Sequence, residues 1–67
     1  MGVAKVEEIS STSTKGFDDA VEQGIARATK TLRNVRSAWV KEQRVDIGND
    51  QIAEYQVNLM VTFLLDD

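Results

Sequence analysis

Cysteine and histidine are both absent from this 67-residue chain. Their absence removes disulfides, the usual zinc ligands and the bases that most often activate a serine or cysteine nucleophile. No stretch approaches the roughly 20 apolar residues of a membrane span. The start, MGVAKVEEIS, carries acidic residues where a signal peptide has its apolar region. Positive charge is also scarce: 8 Lys and Arg stand against 11 Asp and Glu, a net charge of -3. That balance gives no general attraction to nucleic acid. The glycines are scattered and form no phosphate-cradling loop. What remains is a soluble, untargeted protein without a catalytic set, and the lack of cysteine fits a reducing cytoplasm.

Residues 1–67 are enough for one domain. A chain this short buries only about 60% of the surface its unfolded form exposes, so its own core is marginal. Disulfides and zinc being excluded, self-association is the remaining source of stability.

Along the chain, Val3 to Ile9 sets Val3, Val6 and Ile9 among charges and reads as an outer strand. Ser10 to Thr14 is a run of hydroxyl residues that favours a turn and a helix N-cap, at Ser13 or Thr14. From Phe17, apolar or small residues recur at Ala20, Val21, Gly24, Ile25, Ala28, Leu32 and Val35, one face of an amphipathic helix of about twenty residues. Asp18, Asp19 and Glu22 near its start and Arg27, Lys30 and Arg33 near its end complement the helix dipole. Period two then takes over. Ser37 to Ile47 and Glu54 to Leu65 read as two strands of a hairpin about a Gly48-Asn49-Asp50-Gln51 turn.

In the last strand Tyr55, Val57, Leu59, Val61, Phe63 and Leu65 form an apolar face, and the helix stripe is its partner. The fold class is therefore α+β, a β-α-β-β unit. A right-handed crossover makes strands one and two parallel, with strand three between them and antiparallel to both, the order 1-3-2. The hairpin overreaches the helix, so its ends and its second face, with Trp39, Val45, Ile47, Met60 and Leu64, are left for other subunits.

Two constellations carry chemistry. The carboxylates of Glu42, Asp46, Glu54, Asp66 and Asp67 either form a solvated rim or gather at a subunit junction around a hard divalent cation. Ser37 and Trp39 lie two apart on one strand face, and Gln56 stands on the strand paired with it, so the three could share a cleft. An indole can stack on a flat ligand, and a glutamine amide can donate to and accept from the edge of a pyrimidine-like ring. The other reading of Trp39 is an interface anchor, and a hairpin face docking a foreign protein is a third reading of the chain.

A strand, TSTKGFDDAVEQGIARATKTLRNV, a second strand, an Ile-Gly turn and EYQVNLMVTFLLDD follow one another in an order that resembles the dodecin family. The likeness is most specific at Thr12-Ser13, at Ile47-Gly48, at Tyr55-Gln56-Val57 and at Phe63-Leu64-Leu65-Asp66. It implies a helix partly wrapped by a three-stranded antiparallel sheet, twelve copies closing into a hollow homododecamer, and storage or buffering of a flavin such as riboflavin or FMN without turnover. Flavin-binding members stack flavins in pairs between symmetry-related tryptophans, and a glutamine on the last strand contacts the isoalloxazine. By that likeness Gln56 is the flavin contact, Glu42 lies near the ribityl chain and Arg44 faces the phosphate of a larger flavin nucleotide. The family's tryptophan position falls on Ser37, which leaves Trp39 displaced about 6.6 Å along the strand. Members without that tryptophan are linked to calcium, so the likeness also implies an alternative, a structural or cation-binding dodecamer.

Overall fold

The structure is a computed structural model and describes residues 2–65. It runs β1 (Ala4–Ser13), α1 (Phe17–Thr31), β2 (Val35–Gly48) and β3 (Gln51–Leu64). β3 lies in the centre, antiparallel to β1 on one side and to β2 on the other, so the sheet order is the expected β1-β3-β2. No helix among the described residues is long and apolar enough to cross a membrane.

The core sits where two periodicities meet. Alternation along β3 turns Val57, Leu59 and Val61 toward α1, and all three are buried. Ala20, Gly24 and Ala28, spaced by four, are the buried residues of α1 and let the helix backbone approach the sheet. The approach is close: a Cβ on Gly24 would meet Leu59 Cδ1 at 2.9 Å and the Ser11 Cβ at 3.1 Å. At the start of the helix the Phe17 ring meets Tyr55 edge to face, with centroids 5.1 Å apart.

Three boundaries differ from the sequence expectation. Ser10 to Ser13 of the hydroxyl run are strand, because β3 offers a pairing partner to every residue from Ala4 to Ser13 and that ladder outweighs the local turn preference. Ser13 and Thr14 therefore do not cap the helix. Gly16 holds the N-cap position, without a side-chain hydrogen bond. The Ser13 hydroxyl instead accepts from the Lys15 N–H at 2.9 Å and donates to Asp19 Oδ2 at 2.6 Å, tying the turn to the first helical turn. The helix also stops at Thr31, and Leu32 and Val35 pack on the core from outside it, after Asn34 has turned the chain with φ 62. The hairpin turn is narrower than expected. Gly48 stays in β2, and Asn49 and Asp50 make the reversal with φ 52 and 61, the signature of a type I′ turn.

Strands of 14 residues reach about 46 Å, whereas a 15-residue helix reaches about 22 Å. The subunit is accordingly elongated, 51 × 19 × 13 Å. Beyond the helix no described residue covers the sheet: Ile47 and Ile52, paired at the hairpin end, are 63% and 51% exposed.

Candidate functional site

β2 breaks its own alternation, and the break builds the site. The pairing with β3 shifts between Val40 and Glu42, which makes Lys41 the extra residue of a β-bulge. Before the bulge Ser37 faces Thr62 and Trp39 faces Met60; after it Glu42 faces Asn58 and Arg44 faces Gln56. In a regular strand Trp39 and Glu42 would point to opposite faces. The bulge brings Ser37, Trp39, Glu42, Arg44 and Gln56 onto one face, the one turned away from α1. It also moves Val45, expected on that outer face, to the helix side, where it pairs with Tyr55.

A chain of side-chain hydrogen bonds crosses this face. Arg44 Nε donates to Gln56 Oε1 at 3.1 Å, Gln56 Nε2 donates to Asn58 Oδ1 at 3.3 Å, and Asn58 Nδ2 donates to Glu42 Oε1 at 2.8 Å. From β1, Ser10 Oγ donates to Asn58 Oδ1 at 2.6 Å. Glu42, Gln43, Arg44, Gln56 and Asn58 line a small cleft of about 90 Å³. Arg44 also lies 3.9 Å from Asp46, an exposed pair of little energetic weight.

Ser37 and Trp39 stand apart from this group. Met60 is four residues from Gln56 along β3, so Trp39 is about 13 Å from the glutamine, and Ser37, opposite Thr62, about 20 Å. Lys41 reaches across β3 to Glu8 at 3.2 Å and lies between the two groups. Within one subunit the five sequence candidates thus share a face but not a cleft. Trp39 is 51% exposed and borders a groove of about 480 Å³ along the β2 edge, floored by Val21, Ile25, Val40 and Leu59.

Sequence reasoning missed Asn58 and Ser10. Asn58 was legible as a polar residue two positions after Gln56, hence on the same face. Ser10 was hidden inside a run read as turn. Within one subunit the acidic rim does not converge: Asp46 faces Glu54 across the hairpin, Glu42 is held by Asn58, and no group of three or more acidic residues near enough to share a metal occurs among the described residues. Asp66 and Asp67 lie outside the described residues.

A short helix half-wrapped by a long three-stranded antiparallel sheet, with large apolar side chains left exposed at its ends, defines a small α+β subunit of an assembling protein. The family model for dodecins matches residues 3–66. Dodecin of Thermus thermophilus is 43% identical over 65 residues, 97% of this chain and 94% of that one. Among solved structures, dodecin from Streptomyces davaonensis superposes with a TM-score of 0.93 at 39% identity, covering 98% of this chain and 97% of that one. Calcium dodecin of Mycobacterium tuberculosis, a calcium-chelating antigen with a calcium-binding site of its own, superposes with a TM-score of 0.84 at 28% identity, over 96% and 91%. The chain belongs to the dodecin family, which implies an oligomeric assembly.

Proposed function

We propose that this dodecin closes into a hollow homododecamer in the cytoplasm and holds a flavin, riboflavin or FMN, as a store without turnover. The observation that carries the reading is the state of Gln56. Its amide is half-satisfied by Arg44 and Asn58 and keeps one N–H and one carbonyl lone pair for a ligand at the mouth of the cleft. Those are the groups that the pyrimidine edge of an isoalloxazine requires.

The cleft of one subunit, about 90 Å³, is far below the roughly 300–1,000 Å³ of ligand pockets. One copy supplies one wall, and neighbouring copies complete the site. Trp39, exposed on the same face, provides the aromatic surface on which the ring stacks. Glu42 and Arg44 act first on the protein, as the two ends of the chain that holds Gln56, and offer charge to the ribityl and phosphate portions beyond the ring.

The test is a riboflavin titration followed by flavin fluorescence, on an assembly whose mass is measured by light scattering. Saturable quenching by a particle of twelve subunits supports the store. An intact particle that leaves riboflavin fluorescent but binds calcium in calorimetry overturns it in favour of a cation-binding shell like the mycobacterial relative.

A further inference from the structure

The hydrogen-bond chain on the outer face has a direction. A guanidinium can only donate and an ionised carboxylate can only accept. Arg44 at one end and Glu42 at the other therefore allow the two amides between them a single consistent orientation. If Gln56 were flipped, its NH₂ would meet the Arg44 N–H and its oxygen would meet Asn58 Oδ1, a donor against a donor and an acceptor against an acceptor. Flipping Asn58 as well restores the bond between the two amides but leaves the Gln56 NH₂ against the Arg44 N–H and sets the Asn58 oxygen against Glu42 Oε1, so both ends of the chain are then mismatched. The Ser10 hydroxyl, which can donate or accept, follows that orientation: it donates to Asn58 Oδ1 from the neighbouring strand and holds the amide in place.

We infer that Asn58, backed by Ser10, is a positioning residue that locks the Gln56 amide so that the site selects a planar ring with a cyclic imide edge, an N–H beside a C=O. This rests on the flavin reading of the site and adds to it the residue that enforces the reading. Asn58 need not touch the ligand. It takes up one of the two Gln56 N–H groups and leaves the other, with the free lone pair on Oε1, as an adjacent donor and acceptor. Without Asn58 the amide keeps only its Arg44 tether and swings about it.

The experiment compares riboflavin with riboflavin methylated at the imide nitrogen, by fluorescence quenching on assemblies of verified mass. The natural protein binds the methylated ligand about tenfold more weakly, the equivalent of one good hydrogen bond. In Asn58→Val the difference shrinks to about twofold, and in Ser10→Ala, which leaves β3 untouched, it falls part of the way. The pair Asn58→Asp with Glu42→Gln reverses the last bond of the chain but still gives Gln56 Nε2 an acceptor, so discrimination returns. Full discrimination retained in Asn58→Val or Ser10→Ala, or none in the natural protein, overturns the positioning role while flavin binding stands. Failure of the intact natural assembly to bind riboflavin at all overturns both.

Discussion

Trp39 and Gln56 share one face of the sheet but stand about 13 Å apart along β3, because Trp39 pairs with Met60, four residues from Gln56. Within a subunit they line separate cavities. A ligand that touches both must do so across copies or by spanning that distance.

That separation predicts different behaviour in two measurements. Without flavin, the effects of Trp39→Ala and Gln56→Ala on stability add to within about 0.5 kcal/mol, as for distant sites. In flavin affinity the two substitutions couple, because each removes part of one binding event. Denaturant melts and quenching titrations on the two single variants and the double variant decide the matter; simple additivity of the binding effects would place the tryptophan outside the flavin site.

Gly24 makes a second prediction. Alanine would gain about 1 kcal/mol of helix propensity, but its methyl would sit 2.9 Å from Leu59 Cδ1 and 3.1 Å from the Ser11 Cβ. Leu59 is buried and Ser11 is held in the paired strand β1, and overpacking of this kind costs about 1–3 kcal/mol. Gly24→Ala is therefore destabilising by about 1 kcal/mol net, and adding Leu59→Val recovers part of the loss. Thermal melts at one fixed protein concentration measure both, since the stability of an assembling protein depends on concentration.

The same residues show how far the sequence could be read. The unbroken alternation from Tyr55 to Phe63 and the 3.6-residue stripe from Ala20 to Ala28 each point to one solution, so the sheet order and the helix face were legible. The bulge at Lys41 was not. It is an irregularity in strand pairing, it leaves no compositional mark, and it reassigns every β2 side chain after it, which is why Val45 was expected on the wrong face and the link from Glu42 to Asn58 was invisible. The run Ser10 to Thr14 misled for the opposite reason. Its local signal favoured a turn, and the ten-residue ladder with β3 outweighed it. The candidates at Ser37 and Trp39 came from their alternation, which was right about the face; how far they lie from Gln56 depends on the register.

The hairpin turn makes the third prediction. Asn49 and Asp50 both hold positive φ, which costs most residues about 1–2 kcal/mol and glycine almost nothing. Asp50→Gly creates the Asn-Gly pair that type I′ turns favour and stabilises the hairpin by about 0.5–1 kcal/mol. Asp50→Val, β-branched at the same φ, destabilises it by more than about 1 kcal/mol. Two melts with the opposite order would mean that the tip is held by something other than its own backbone.

Asp19 makes the last prediction, a dependence on pH. The Ser13 hydroxyl is the largest cause holding its carboxyl below the ordinary value of 3.8; desolvation, next in size, opposes it, and the Gln23 amide and the nearby Lys15 add to the lowering. A carboxyl whose folded value is depressed favours folding when it is ionised in both states. That contribution is present above the ordinary carboxylate range and is lost as pH falls through the folded value. Other acidic groups also titrate there, so the informative quantity is a difference between variants. Asp19→Asn keeps the size of the side chain and cannot titrate, and Ser13→Ala removes the main cause of the shift. Melting curves from about pH 7 down to about pH 3 should show the natural protein losing more stability on acidification than either variant. Parallel curves for all three would mean that the tie from β1 to the first turn of α1 has no part in the acid response.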